Sequence, residues 1–314
     1  MIVSASRRTD IPCFYSDWFF NRIKEGRVCV RNPFNPRLVS EIPLSPDTVD
    51  GIVFWTKNPA PMLDRLELLC DYPYYFQFTL NPYGTDIERN VPSKRDSVIP
   101  TFIALSEIIG KERVVWRYDP ILLNGKYTVQ YHLKYFKRLC GALAGYTEKC
   151  TVSFIDMYKS ISRRTAPLGV CAPTQEQICF LAGNFAEIAA QYGIYVDTCA
   201  EEAELGEYGI GHASCIDGAR LERIGGYRLK TEQDKNQREF CRCVQSVDIG
   251  AYNTCRNGCV YCYAGFAPER AGGSGAGGMR HNADSPLIFG EITPEDTVKP
   301  REIKSLRAGR LSGE

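Results

Sequence analysis

Ile2-Val3-Ser4-Ala5-Ser6 runs directly into Arg7-Arg8-Thr9-Asp10, an apolar stretch that ends in charge. Short runs rich in β-branched and aromatic residues, bounded by polar ones, read as buried strands. Outward from this first run, the same signature recurs at Ile52 to Thr56, Tyr74 to Leu80, Val114 to Tyr118, Thr151 to Ile155 and Ile194 to Thr198. Between these six candidate strands lie segments with helical spacing: Tyr15 to Glu25 closed by Gly26, Met62 to Leu69, Ser97 to Ile109 closed by Gly110, Thr128 to Leu143, and Gln175 to Tyr192 closed by Gly193. Thr174 and Gln177 have the spacing of a capping box at the start of the last of these.

Strands that alternate with helices pair in parallel through right-handed crossovers. The expected fold class is therefore α/β, and a partial or complete parallel (β/α) TIM-type barrel is favoured over an open doubly wound sheet. The reason is the placement of polar residues, which follow nearly every strand: Arg7 to Asp10, Lys57-Asn58, Asn81, Arg117 to Asp119, Asp156 and Glu201-Glu202. A parallel barrel gathers all those ends on one face, where active sites are built. Arg7, Arg8, Lys57 and Arg117 would then suit a carboxylate or phosphate on a substrate or cofactor. Asp119 sits among them, and Glu201 could act as a general acid or base or bind a ribose hydroxyl. The plainer alternative is that these residues are solvated loop ends, or that Asp10, Asp119 and Asp156 neutralise the cations in a buried polar network.

After Ala200 the pattern changes, with glycines at 206, 209, 211, 218, 225 and 226 and one short helix near Ile216 to Ile224. The chain divides into a barrel-like domain over 1–200, a cysteine-rich module over 201–270 that closes the barrel, and a tail over 271–314. That tail holds a Gly-rich linker from Ala271 to Gly278 and a basic segment from Lys299 to Arg310.

With 314 residues, 44% of them hydrophobic and 24% charged, the chain can bury a sizeable core, which excludes disorder and collagen-like repeats. A net charge of +1 provides no global field for nucleic acid or acidic membranes, so nucleic-acid binding is not favoured. No run reaches the roughly 18 apolar residues of a membrane helix, and no secretory signal pattern is present, so a cytoplasmic protein with no membrane partner is expected. Fourteen cysteines are many for such a chain. Because that compartment keeps thiols reduced, metal ligation or redox chemistry explains them better than a disulfide scaffold.

Half of the cysteines lie from residue 199 onward: Cys199, Cys215, Cys241, Cys243, Cys255, Cys259 and Cys262. The core of this group is Cys255-Arg256-Asn257-Gly258-Cys259-Val260-Tyr261-Cys262. Three intervening residues followed by two can turn three thiolates onto one inorganic cluster, with Gly258 easing the turn. Three ligands on a four-iron cluster leave one iron open to a substrate or cofactor.

This stretch resembles the radical S-adenosylmethionine (radical SAM) signature, Cys-x3-Cys-x-aromatic-Cys, with Tyr261 at the aromatic position. The resemblance implies a 4Fe-4S cluster on Cys255, Cys259 and Cys262, S-adenosylmethionine chelated by the open iron, and Tyr261 near its adenine. It implies also an external electron donor such as a flavodoxin or ferredoxin, and generation of a 5′-deoxyadenosyl radical that acts on an unknown substrate. Radical enzymes place the motif after the first barrel strand, whereas here it follows the six strand candidates. The whole chain is similar to an uncharacterised bacterial and archaeal family with a C-terminal cysteine cluster of this kind. That similarity runs from Ser4 to Asp10 through Phe54-Trp55-Thr56-Lys57-Asn58-Pro59, Arg117-Tyr118-Asp119-Pro120 and Asp248-Ile249-Gly250 to the cysteines. A permuted radical-SAM-like barrel, with Val247 to Tyr252 supplying the strand that leads into the motif, reconciles the order.

Other readings stand beside it. Cys241-Arg242-Cys243 with Cys259 and Cys262 could form a tetrahedral zinc site, although this strands Cys255. Cys199, Cys215, Cys241 and Cys243 make a candidate second set, for an auxiliary cluster or a structural zinc, with free thiols as the alternative. A non-enzymatic iron-sulfur redox or oxygen sensor and a zinc-stabilised nucleic-acid-binding protein are the rival functions. The three histidines, His132, His212 and His281, are too few for a histidine-based site, though His212 could support a ligand at Cys215. No dinucleotide-binding, P-loop or nucleophile-elbow motif is present.

Overall fold

The computed structural model describes residues 1–265, 280–303 and 305–310. The strands are β1 (Ile2–Ala5), β2 (Arg27–Arg31), β3 (Leu38–Pro43), β4 (Gly51–Thr56), β5 (Tyr74–Thr79), β6 (Val114–Ile121), β7 (Lys149–Phe154), β8 (Tyr195–Thr198), β9 (Gly211–His212), β10 (Tyr227–Leu229), β11 (Val247–Asp248), β12 (Thr297–Pro300) and β13 (Arg307–Arg310). The α-helices are α1 (Ile11–Phe14), α2 (Ser16–Glu25), α3 (Ile99–Ile109), α4 (Val129–Leu143), α5 (Lys159–Thr165), α6 (Gln175–Ala190) and α7 (Gly218–Gly225).

Eight parallel strands form one sheet in the order β11-β1-β4-β5-β6-β7-β8-β9. All six strands expected from the apolar runs belong to it. Their unbroken hydrophobicity follows from burial on both faces. On one face, Val3, Phe54, Phe76, Trp116 and Val152 join the main core with Phe19, Phe102, Phe136 and Phe185 from the helices. On the other, Ile2, Val53, Tyr75 and Val115 pack against Cys199, Cys215, Leu221, Cys241 and Cys243. Period-two alternation thus places Cys199, Cys215, Cys241 and Cys243, together with α7, opposite the face covered by α2, α3, α4 and α6.

The expected complete barrel does not form. Among the described residues no ladder joins the two edge strands, and each edge, β9 and β11, offers only two residues for pairing. The fold is α/β with an open eight-stranded parallel sheet.

Local signals explain the helix limits. The Thr174 side chain accepts from Gln177 N while the Gln177 side chain accepts from Thr174 N, a capping box that starts α6. Gly26 closes α2 with φ +69°, the left-handed conformation that glycine adopts without a side-chain penalty. The expected helix over Met62 to Leu69 is a 3-10 segment, Ala60–Leu69.

Charged residues interrupt β2 and β3, so the apolar-run criterion passes over them. They pair antiparallel, and β12 adds in parallel to β3. β13 pairs antiparallel with β10, so parts of the basic segment are strands. The Gly-rich stretch from Ala271 to Gly278 lies outside the described residues. Among the described residues no helix is long and apolar enough to cross a membrane.

Candidate metal centre

The cysteine loop is carried to the strand ends by β11, which lies parallel to β1 with Ser4 opposite Asp248. The Asp248 carboxylate accepts from Ser4 Oγ at 3.0 Å, Ser6 Oγ at 2.5 Å, Arg7 N at 2.8 Å and Gly250 N at 3.0 Å. A Cβ at Gly250 would collide with the Ser6 side chain, so the close approach requires glycine there.

Beyond this junction, Tyr15 Oη donates to Thr254 O, and Asn257 Nδ2 donates to Asp10 Oδ2 at 2.9 Å. Asn90 N and Asn90 Nδ2 donate to Asn257 O at 3.1 Å and Arg256 O at 2.7 Å. Val260 N reaches Ile87 O at 3.0 Å, and Arg164 Nη2 reaches Cys262 O at 2.6 Å. Gly258 takes φ +65°, the turn expected between the first two cysteines.

Cys255, Cys259 and Cys262 line one pocket together with Arg89, Arg164 and Asn257. Asn257 Nδ2 lies 3.6 Å from Cys255 Sγ. Burial pushes the Cys255 thiol up to about 12, with Asp10 and Cys262 adding to the rise, and also raises Cys259 well above its ordinary range. Such thiols ionise when a cation takes the proton's place. Among the described residues no three His, Cys, Asp or Glu side chains already stand as a metal-ligand set. The three thiols nevertheless share one concave surface, and Arg89 and Arg164 supply positive charge beside it, which suits an anionic thiolate cluster.

Tyr261 is half-buried, and its hydroxyl reaches into a buried ion network. Its hydroxyl donates to Glu88 Oε1 at 2.5 Å, Asn81 Nδ2 donates to Tyr261 Oη at 3.3 Å, and Lys57 Nζ stands 5.6 Å from the ring centroid. Lys57 Nζ donates to Glu88 Oε1 at 2.7 Å, and Lys94 Nζ lies 2.6 Å from Glu88 Oε2. Burial alone would raise the Glu88 carboxyl, but Lys57 and Lys94 outweigh it and hold it below its usual range. Glu88 was not anticipated. It lies in the polar loop Gly84-Thr85-Asp86-Ile87-Glu88-Arg89, which reads as solvated, and only the fold shows its side chain fully buried.

The other strand-end residues are gathered at the same ends but are largely paired. Arg117 forms an ion pair with Asp119, which also accepts from Ser153 Oγ. Arg7 and Arg117 stand over the Trp55 ring at 5.3 and 5.1 Å, and Arg8 stands over Tyr252 at 5.0 Å. Asp10 accepts from the Lys57 backbone N at 2.8 Å, and Asp156 pairs with Arg238. Glu201 Oε1 accepts from Phe154 N at 2.8 Å, and burial pushes its carboxyl up to about 7. Trp55, Ser153 and Arg238 complete this network, and no local sequence signal marked them.

The second cysteine set also converges. Cys215 Sγ donates to Cys199 Sγ at 3.1 Å, and Cys241 and Cys243 pack in the same buried cluster, with Ile216 N donating to Cys243 Sγ at 3.3 Å. Arg117 Nη1 lies 2.7 Å from Cys215 Sγ. The pairing of Cys241-Cys243 with Cys259 and Cys262 is not formed, because the two groups belong to separate packing clusters. His212 turns to Glu204, at 3.3 Å, rather than to Cys215.

A family model described as Domain of unknown function (DUF1848) matches residues 2–264. No curated protein and no solved structure matches the chain.

Proposed function

The chain belongs to the DUF1848 family, a domain of unknown function, and from that premise we propose that it is an iron-sulfur enzyme of radical SAM type. The observation that carries this reading is the shared pocket of Cys255, Cys259 and Cys262 at the end of a strand that pairs with β1. The spatial order supports a permuted partial barrel. β11 stands first at the sheet edge, β1, β4, β5, β6, β7 and β8 follow, and the cysteine loop leaves the strand at the first position.

Cys255, Cys259 and Cys262 would hold a 4Fe-4S cluster, with Arg89 and Arg164 offsetting its negative charge. When bound and reduced by a flavodoxin or ferredoxin, the cluster with S-adenosylmethionine supplies a 5′-deoxyadenosyl radical that takes hydrogen from a substrate. The chain's own part is to position and shield. Asn257 orients the Cys255 end of the loop through Asp10, and Tyr261, anchored on Glu88, packs its ring beside the cluster loop. Arg7, stacked on Trp55, presents a cation suited to a substrate carboxylate or phosphate.

Anaerobic purification with iron and sulfide counts, followed by electron paramagnetic resonance of the reduced protein with and without S-adenosylmethionine, tests the reading. The expected result is a cluster whose spectrum shifts on addition, and loss of iron when Cys255, Cys259 and Cys262 are all changed to Ala. Tyr261→Ala should keep the iron and weaken the spectral response. Iron with no shift favours a sensor and overturns the enzyme, and a triple variant with full iron overturns the ligand assignment.

A further inference from the structure

We propose that Cys199, Cys215, Cys241 and Cys243 form a four-thiolate site for a single divalent ion of the zinc class, which clips together the two open edges of the parallel sheet. The inference does not depend on the radical SAM reading, since none of its ligands belongs to that pocket.

Topology carries the first part. Cys199 follows β8 directly and Cys215 lies just past β9, at one edge of the sheet, while Cys241 and Cys243 precede β11 at the other. Backbone pairing does not join those edges among the described residues, yet the four thiols pack in one buried cluster, with Cys215 Sγ 3.1 Å from Cys199 Sγ and Cys243 Sγ accepting from Ile216 N, the residue after Cys215. All four are buried, with relative exposures of 8, 1, 7 and 2% for Cys199, Cys215, Cys241 and Cys243. Four thiols drawn from three segments into one buried cluster, far apart in sequence, exceed what packing of small apolar side chains needs.

Electrostatics carries the second. Arg117 Nη1 lies 2.7 Å from Cys215 Sγ, Ile216 N donates to Cys243 Sγ at 3.3 Å, and Arg238 Nη2 stands 3.9 Å from Cys199 Sγ. Arg7 interacts with Cys243 and Cys215 from the β1 side. These are donors and cations aimed at sulfur, placed to offset the charge of thiolates that a bound ion would create. A divalent ion with four thiolates carries two net negative charges. The guanidinium groups of Arg117 and Arg238, which also pair with Asp119 and Asp156, lie beside two of the sulfurs and offset part of that charge.

The Cys215–Cys199 spacing bears on the kind of centre. Four thiolates around one ion at about 2.3 Å stand about 3.8 Å apart at tetrahedral angles. The Cys215–Cys199 separation of 3.1 Å needs only a small widening to reach that spacing. A four-iron cube spreads its ligands far beyond sulfur contact, so it fits less well. Binding requires rotation of the thiols to the corners of a tetrahedron, and each thiol releases its proton to solvent as its sulfur bonds the ion.

The test uses the full chain, with zinc and iron measured in the wild type, in Cys241→Ser/Cys243→Ser, and in the triple Cys255, Cys259, Cys262 to Ala variant. About one equivalent of zinc is expected in the wild type and the triple variant, and about tenfold less in the double variant. Loss of zinc in the triple variant would place the ion at the other pocket and overturn the assignment, and so would equal zinc in wild type and double variant. Should the double variant fail to fold, cobalt loading of the wild type replaces it. Thiolate-to-cobalt charge-transfer bands with intense tetrahedral visible bands support the site, and their absence, or a Cys199–Cys215 disulfide found by mass spectrometry of the reduced-purified protein, overturns it.

Discussion

Ser6 Oγ donates to Asp248 Oδ1 at 2.5 Å, joining the end of the first strand to the segment that carries the cysteine loop, 242 residues later in the chain. The same carboxylate also accepts from Ser4 Oγ and from the backbone amides of Arg7 and Gly250. Asp248→Ala should therefore destabilise the fold by about 3 kcal/mol, because it leaves several partly buried donors unsatisfied. Chemical denaturation would measure this. A variant that keeps wild-type stability would show that the junction is held by packing alone.

Glu88 holds two lysines at once, Lys57 at 2.7 Å and Lys94 at 2.6 Å. Removing one member of a buried ion pair leaves an uncompensated charge, so Glu88→Gln should cost about 3 kcal/mol. Combining it with Lys57→Met should recover part of the loss. Urea midpoints of the single and double variants test this, and a double variant less stable than Glu88→Gln would count against the charge argument.

His132 is fully buried, with Nδ1 at 2.8 Å from Tyr118 Oη and Nε2 at 2.9 Å from Leu122 O. Burial lowers its pKa to about 4, against an ordinary 6.5. The unfolded chain binds the proton more readily, so the stability linked to neutral His132 is present above 6.5 and is lost as the pH falls towards 4. Integrated over that window the loss is on the order of 3 kcal/mol. His132→Asn should flatten this part of the stability-against-pH curve, and an unchanged slope would reject the linkage.

Thr174 lies at the surface, and its capping box with Gln177 is the main local signal that starts α6. Thr174→Ala should cost about 1 kcal/mol and Thr174→Ser should restore most of it. Thermal unfolding of the three proteins decides, with equal midpoints for Ala and Thr as the failing result.

Alternating strands and helices were legible because they rest on local pattern: six apolar runs of five to seven residues, glycine after a helix, and a threonine three before a glutamine. The Cys255, Cys259 and Cys262 spacing was legible for the same reason, since a short loop fixes which thiols can share a surface. That the sheet stays open was not, because closure depends on the edge strands, here of two residues each, that no periodicity reveals. Glu88 stayed hidden because a buried carboxylate in a loop looks like a solvated one until its lysine partners are placed.

By itself, then, the sequence determined the parallel α/β class, the limits of its main strands and helices, and a three-cysteine loop next to a short lead-in strand. Only the tertiary structure decided that this strand docks beside β1, that Glu88 lies between Lys57 and Lys94, and that Cys199, Cys215, Cys241 and Cys243 meet. Local conformation follows from steric preference and hydrophobic period over a few residues, whereas these pairings join distant segments through the burial of the whole sheet on both faces.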